Sequence, residues 1–248
     1  MASDVDTFIY FLQKKFDRIR SLEIKTDPDE DPESAHLFKR VLYVGIIDVL
    51  SKTVFPKKEN HGRTVSFIRE FCGWQHSEKV SLPHLARLLK KSPEPEFSGL
   101  RQLVGSEMGK WKQGISMGLD KDIDEGAIKP LWPKEKEYEK PLRNVSLESI
   151  KHVHLFYAYR NSLIHEMRKP GYGIDFDPSD QDPYYHSMSH VGHGGIKSET
   201  WELVYPIGFI ERLCKKALNE VREYYIREQL NPYDTFAFGS YWIEELNR

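Results

Sequence analysis

The stretch from residue 37 to residue 50 constrains the fold most, because it is apolar around almost its whole circumference when drawn as a helix. A surface helix carries its apolar residues on one side, whereas a helix that is apolar all round lies inside a bundle. Gly45 costs about 1 kcal/mol of helix propensity relative to alanine, and it would let a neighbouring helix cross closely. The stretch therefore predicts a central core helix, whose apolar members are Leu37, Phe38, Val41, Leu42, Val44, Ile46, Ile47, Val49 and Leu50.

Other segments also repeat apolar residues at helical spacing, and they predict helices packed around that core. They are residues 5–22, 64–72, 82–91 and 207–225. The basic residues of the first segment are expected on its solvated side, with an RNA-contacting stripe as the alternative. With 248 residues, 39% of them hydrophobic, the chain is long enough for one large domain or two small ones. We predict a mainly α protein with a single helical domain over residues 1–248.

The middle of the chain, residues 92–145, is rich in proline, glycine and charged residues and contains scattered tryptophans. This composition predicts an irregular insertion packed on the helical core. An alternative is a basic and aromatic cluster around Lys110, Trp111 and Lys112, since such clusters stack on and neutralise RNA.

Residues 171–206 predict a loop followed by a small β-hairpin, because residues 184–191 and 200–205 show rough alternation around a Gly-Gly turn. His186, His190 and His193 lie in this region. Their spacing matches no recognised zinc-ligand set and no cysteine joins them, so surface histidines are favoured over a zinc site. No metal site and no cofactor is predicted.

A further helix is predicted between Ser146 and the Pro170-Gly171 pair, with most of its surface apolar. Ser146 is a suitable N-cap residue. Arg168 and Lys169 place positive charge at the C-terminal end, where the helix dipole favours it, and Pro170 and Gly171 stop the helix.

Arg160 falls inside the apolar arc of this helix, and a buried guanidinium needs an anionic partner because it does not lose its proton. The partner could be a phosphate or a carboxylate from another helix, and Asp48 in the central apolar helix is a candidate. Asn161 and His165 are four residues apart and share a face, with His154 between them. The alternative reading is a structural ion pair together with a core histidine whose hydrogen bonds are satisfied.

Arg160, Asn161 and His165 resemble the signature of the HEPN family (higher eukaryotes and prokaryotes nucleotide-binding domains). That signature is an arginine followed four to six residues later by a histidine, with asparagine, aspartate or histidine favoured just after the arginine. The upstream layout is also similar, since the long apolar helix with residues 45–50 precedes a second helical segment with residues 63–71. The resemblance implies a HEPN-like helical bundle.

The same three residues suit the cleavage of RNA without a metal ion. A histidine titrates near neutral pH and can remove the proton of a 2′-hydroxyl, which then attacks the adjacent phosphate. An arginine can bind the phosphate oxygens as their charge grows. We therefore predict an endoribonuclease with Arg160, Asn161 and His165 as catalytic residues, leaving 2′,3′-cyclic phosphate and 5′-hydroxyl ends. The side chains predicted to contact the RNA around them are Tyr159, His154, Arg168 and Lys169.

The resemblance further implies a homodimer in which two motifs face each other across a two-fold axis, and a toxin or anti-phage defence role. An antitoxin or another regulatory protein would then be a partner. The alternative is a non-catalytic HEPN-like module for dimerisation or for binding nucleotides or RNA.

The bulk composition limits how RNA could be held. The formal net charge is −2, so nucleic acid would be gripped by a local patch rather than by global charge. The chain has two cysteines, Cys72 and Cys214, and such sparse usage fits a reducing cytoplasm, with a single disulfide as the alternative. No apolar run approaches bilayer length, so we predict a cytoplasmic protein without a membrane partner.

Overall fold

The computed structural model describes residues 2–25, 33–111, 116–132, 145–177, 179–192 and 195–236. This part of the chain is mainly helical and contains one small antiparallel sheet, as predicted. The α-helices are α1 (Ala2–Ser21), α2 (Glu33–Val54), α3 (Asn60–Phe71), α4 (Leu82–Lys90), α5 (Ser98–Gly109), α6 (Glu125–Ile128), α7 (His152–Glu166) and α8 (Ile207–Arg227). The strands are β1 (Ser116–Gly118), β2 (Tyr184–Gly192) and β3 (Gly195–Val204).

Helix α2 lies at the centre of the larger apolar core, where it packs against α1, α3, α7 and α8. Tyr43, Ile47 and Leu50 on this helix are almost fully buried, which confirms the prediction of a central helix. Two of the apolar residues assigned to this core helix are not buried, since Phe38 is 46% exposed and Leu42 is 44% exposed. One face of α2 therefore remains at the surface of the described part of the chain.

Helix α7 is shorter at both ends than the sequence pattern predicted. Ser146 does not cap it; instead its Oγ accepts a hydrogen bond from the Ser149 amide, at 3.3 Å, in a separate 3₁₀ turn. Lys151 has an extended backbone conformation (φ −72°, ψ 149°), which separates this 3₁₀ turn from the start of α7. At the other end Met167 adopts a left-handed conformation with φ 50° and ends the helix. Arg168 therefore follows α7 rather than belonging to its last turn.

The middle segment is more regular than predicted. A 3₁₀ turn at Pro95–Phe97 leads into α5, which packs against α4. Together they form a second apolar cluster with the shorter elements that follow, while residues 112–115 and 133–144 of the segment lie outside the described residues. The buried members of this cluster are Val80, Leu82, Leu85, Leu89, Phe97, Leu100, Val104, Ile128, Trp132 and Ile150.

The predicted hairpin is confirmed as β2 and β3, which pair antiparallel with Tyr184 opposite Val204. Strand β1 adds to the free edge of β2, with Ser116 opposite His186, and this third strand was not predicted. The expectation of surface histidines is wrong for His186, because its ring is buried and packs edge-on against Phe176, with centroids 4.6 Å apart. The side chain of His190 and the whole of His193 lie outside what is described.

Three general expectations concern the described residues as a whole. Cys72 and Cys214 are free and buried. Within the described ranges, no group of three or more histidine, cysteine, aspartate or glutamate side chains is arranged to hold a metal ion. Over those same ranges, every helix is too short or too polar to cross a bilayer.

Candidate functional site

Arg160 is joined to α2 through Asp48, which confirms the carboxylate that the sequence suggested as its partner. Its Nε lies 3.1 Å from both carboxylate oxygens, and its Nη2 also donates to Asp48 Oδ2. The arginine side chain is 8% exposed and that of Asp48 is 20% exposed. The pair thus bridges α7 and α2 at the edge of the core, where it remains in contact with solvent.

Asn161, the next residue of α7, also binds the Arg160 guanidinium. The Asn161 Oδ1 accepts a hydrogen bond of 2.9 Å from Arg160 Nη1. A guanidinium has five N–H groups. The contacts to Asp48 and Asn161 occupy the one on Nε, one on Nη2 and one on Nη1. One N–H on each Nη therefore remains for a further acceptor.

His165 is exposed in the last turn of α7, one helical turn beyond Asn161. Among the side chains that the structure describes, its imidazole has no hydrogen-bonding or ionic partner. The exposed side chain of His165 is therefore accessible to a ligand, and histidine is a residue type that commonly serves as an acid or base. Asn161 and His165 share one edge of α7, and the Arg160 guanidinium is linked to that edge through its hydrogen bond to Asn161.

His154 belongs to a different cluster. Its Nδ1 lies 3.1 Å from the Nε2 of His61 on α3, and its Nε2 lies 3.4 Å from a carboxylate oxygen of Glu148. Burial is the main cause that lowers the pKa of His154, and the nearby His61 lowers it further. Since His154 and His165 are separated by about 16 Å of helix, the structure does not bring this predicted substrate contact to the motif.

The other predicted substrate contacts are also placed away from an open surface or already bonded. Tyr159 is buried between the rings of Phe156 and Tyr205, and burial raises the pKa of its hydroxyl to about 12. Arg168 is exposed but forms an ion pair with Glu166, and Lys169 donates to the Gly173 carbonyl at 3.1 Å. Arg168 and Lys169 thus both place a cationic group just beyond the end of α7, and Arg168 is the more exposed of the two.

The structure also shows a buried hydrogen-bond network that sequence reasoning missed. The Asp122 carboxylate accepts from the Leu82 amide at 2.8 Å and lies 2.7 Å from both His152 Nε2 and the Tyr185 hydroxyl. The Tyr185 hydroxyl is also 2.6 Å from Ser81 Oγ. Ser81 Oγ lies 2.7 Å from Nδ1 of His84. Ser81, Leu82 and His84 are neighbours at the start of α4, whereas Asp122, His152 and Tyr185 come from other parts of the chain, and no spacing in the sequence relates the two groups.

The Tyr185 hydroxyl joins the two ends of this network, because it lies within hydrogen-bonding distance of both the Asp122 carboxylate and Ser81 Oγ. The network thus connects the start of α4 with β2 and with the segment around Asp122 through buried polar side chains.

The network makes stability depend on pH through His84. Burial, together with the charge of Arg87, lowers the pKa of His84 to about 4. The unfolded chain takes up a proton first, so this contribution is present above about pH 6.5 and is lost as the pH falls towards 4. His84→Asn keeps an amide that can hydrogen-bond near the Nδ1 position but does not titrate. In urea unfolding between pH 7 and pH 4.5, we expect wild type to lose more stability than this variant, and equal losses would contradict the assignment.

With this geometry in place, comparisons of the chain with protein-family models, with curated proteins and with solved structures found no match. The HEPN resemblance therefore rests on the residues of the motif and on the layout of the helices around it.

Proposed function

We propose that the protein is a metal-independent endoribonuclease whose catalytic residues are Arg160, Asn161 and His165. The observation that carries this proposal is the combination of a guanidinium fixed at the helix edge with an exposed imidazole one turn further along. Asp48 and Asn161 hold the guanidinium in place, so little conformational entropy is lost when it meets a phosphate. Such preorganised donors are effective where negative charge develops during a reaction.

The reaction is an in-line displacement at phosphorus. His165 removes the proton of the 2′-hydroxyl, the O2′–P bond forms and the P–O5′ bond breaks. The products are a 2′,3′-cyclic phosphate and a 5′-hydroxyl, and the departing O5′ takes up a proton. The two remaining N–H groups of Arg160 donate to the nonbridging oxygens of the phosphate, whose charge grows in the transition state. Arg168, just beyond the end of α7, attracts the phosphate groups of the neighbouring RNA nucleotides.

A second copy of the chain would supply the acid that protonates O5′. The exposed face of α2 supports this arrangement, because Phe38 and Leu42 present apolar side chains there and the space above Gly45 is open. Asp48, which holds Arg160, lies on the flank of the same face. Two-fold pairing of this surface would bring two motifs close together and complete one composite site.

The dimer is tested by placing a charge on this face. Leu42→Glu is expected to convert a dimer into a monomer at micromolar concentration and to lower RNA cleavage by at least tenfold. Ile226→Glu on α8 is the matched control, because Ile226 is similarly exposed on another face. The molar mass from light scattering and the rate of RNA cleavage are measured for wild type and both variants. A wild-type monomer that cleaves RNA at full rate would exclude the composite site.

The activity itself is tested with purified protein, single-stranded RNA and excess EDTA. We expect cleavage to continue, with product ends that resist phosphatase until the cyclic phosphate is opened by acid. Cleavage that stops in EDTA and returns with a divalent cation would contradict a mechanism in which the histidine and the 2′-hydroxyl suffice. A toxin or defence role would appear as growth arrest on expression, relieved by His165→Ala.

A non-catalytic helical module is the second candidate, and the Arg160–Asp48 ion pair is the observation that favours it. In that case the arginine only joins α7 to α2, and the protein binds RNA or another copy without cutting. Binding of RNA by wild type and His165→Ala alike, with no cleavage by either, would favour this candidate.

A further inference from the structure

The exposed side of α1 carries a line of basic and aromatic side chains. Tyr10, Lys14 and Arg18 are spaced four residues apart, so they follow one another along the helix over about 12 Å. All three are exposed, Tyr10 to 61%, and Lys15 is exposed beside them. We call these four residues the basic face of α1. The opposite side of α1 is buried in the larger apolar core, so the basic face is turned to solvent.

The cations of the basic face have no acidic partner among the residues that the structure describes. Two ion pairs of α1 lie on its side towards α8, where Arg20 pairs with Glu211 and Asp6 pairs with Arg222. Asp17, which is close to the basic face, accepts a hydrogen bond of 2.9 Å from the glutamine four residues before it. The basic face therefore offers positive charge that an anionic ligand can pair with.

Two aromatic rings lie among these cations. The Nζ of Lys15 is 4.5 Å from the centroid of the Phe11 ring, and the Nζ of Lys14 is 5.1 Å from that of Tyr10. Such contacts position an ammonium group without neutralising its charge. The exposed ring of Tyr10 also offers a surface for a nucleic-acid base. Cations beside an exposed aromatic ring are the usual means of binding a single strand without sequence preference.

The positive charge is concentrated on this helix. Residues 10–25 contain five lysines and arginines against two acidic residues, whereas the whole chain has a formal net charge of −2. A polyanion is therefore attracted to α1 in particular. A bilayer fits this surface less well, because the apolar side of α1 is packed into the core and is not available to enter the lipid.

We propose that the basic face of α1 is a second contact surface for single-stranded RNA, separate from the motif on α7. Its three cations bind backbone phosphates, and Tyr10 stacks on a base. The inference rests on the proposed function, because it takes RNA as the ligand. Helices α1 and α7 both pack against α2, so the two surfaces belong to neighbouring parts of the same bundle. The basic face raises the affinity for RNA and takes no part in the chemistry.

A short 2′-O-methyl oligonucleotide is the probe, because its blocked 2′ oxygen cannot attack the phosphate and binding is measured apart from cleavage. Fluorescence anisotropy in EDTA gives the dissociation constant at several salt concentrations. We expect Lys14→Gln/Arg18→Gln to bind at least about fivefold more weakly at low salt. The slope of log affinity against log salt should become shallower by about 1.4, since each phosphate contact on a single strand contributes about 0.7.

Two further variants separate the basic face from charge in general. Lys90→Gln/Lys129→Gln is the matched control, because it removes the same charge from exposed positions at the ends of α4 and α6. We expect this control to leave the affinity and the salt slope unchanged. Tyr10→Ala is expected to weaken binding of the oligonucleotide by about fivefold or more. It should not change the binding of inorganic polyphosphate, which has no base to stack.

The proposal is overturned if Lys14→Gln/Arg18→Gln, with an unchanged thermal unfolding midpoint, binds the oligonucleotide as tightly as the control variant and with the same salt slope. Wild type that binds phosphatidylserine vesicles but not the oligonucleotide would assign the face to a membrane and would overturn it as well. Binding that depends on the basic face, in a protein that does not cleave unmodified RNA, would support this inference and contradict only the ribonuclease activity.

Discussion

Replacing His165 by alanine is expected to lower RNA cleavage by a factor of about 10² to 10⁴, which is the usual contribution of a general acid or base. The fold should be unaffected, because the side chain is exposed and makes no polar contact among the described residues. Initial rates on a labelled single-stranded RNA, together with the thermal unfolding midpoint, measure both effects.

Glu166→Ala is the matched control for His165→Ala. Glu166 is the next residue of α7, is exposed, and pairs only with its neighbour Arg168 among the described ion pairs. Loss of the Glu166 carboxylate is expected to change the rate of RNA cleavage by less than about threefold. If both variants cut RNA as fast as wild type, His165 is not the base and the assignment of the motif fails.

Removing either member of the Arg160–Asp48 pair is expected to give the largest loss of stability among single substitutions at the site. Breaking a buried ion pair costs about 3–5 kcal/mol, because the remaining charge is left without its partner. Since Asp48 is 20% exposed, the cost should lie towards the lower end of that range. Urea unfolding of Asp48→Leu and Arg160→Leu measures it.

The double variant Asp48→Leu/Arg160→Leu separates the structural role of the pair from a catalytic role. Replacing both charges by apolar side chains is often close to neutral for stability, so the double variant should recover most of the loss. We expect it to be folded and yet inactive on RNA. A double variant that is stable and fully active would show that Arg160 only joins two helices.

Much of the fold could be predicted because its causes are local or periodic. The position of α2, the hairpin of β2 and β3, and the start of α4 at Ser81 follow from apolar spacing and from turn residues. The Asp48 partner of Arg160 could also be named, because a buried guanidinium demands a carboxylate and the central helix offers one.

The start of α7 could not be predicted, because it is set by contacts from a distant segment. Lys151 forms an isolated β-bridge with Val80, and the amides of His152 and Val153 donate to the carbonyls of Lys79 and Ser77. These bonds hold the backbone extended where the sequence pattern alone favours a continuous helix. Tertiary hydrogen bonds of this kind override local propensity.

The extent of the site was also only partly predictable. Helical spacing relates Asn161 to His165, but it does not show that His154 turns to His61 on another helix. Nor does it show that Ser81, Asp122 and Tyr185 meet in one buried network, because their contacts depend on how α4, β2 and the middle segment pack.

The most direct test of the proposed chemistry uses an RNA in which a single 2′-deoxynucleotide replaces the nucleotide on the 5′ side of a mapped cleavage point. With EDTA present, we expect cleavage at that bond to disappear while other bonds in the same molecule are still cut, since the attacking hydroxyl is missing only there. Cleavage of the substituted bond at an unchanged rate would show that the 2′-hydroxyl is not the nucleophile and would contradict the catalytic roles proposed for Arg160 and His165.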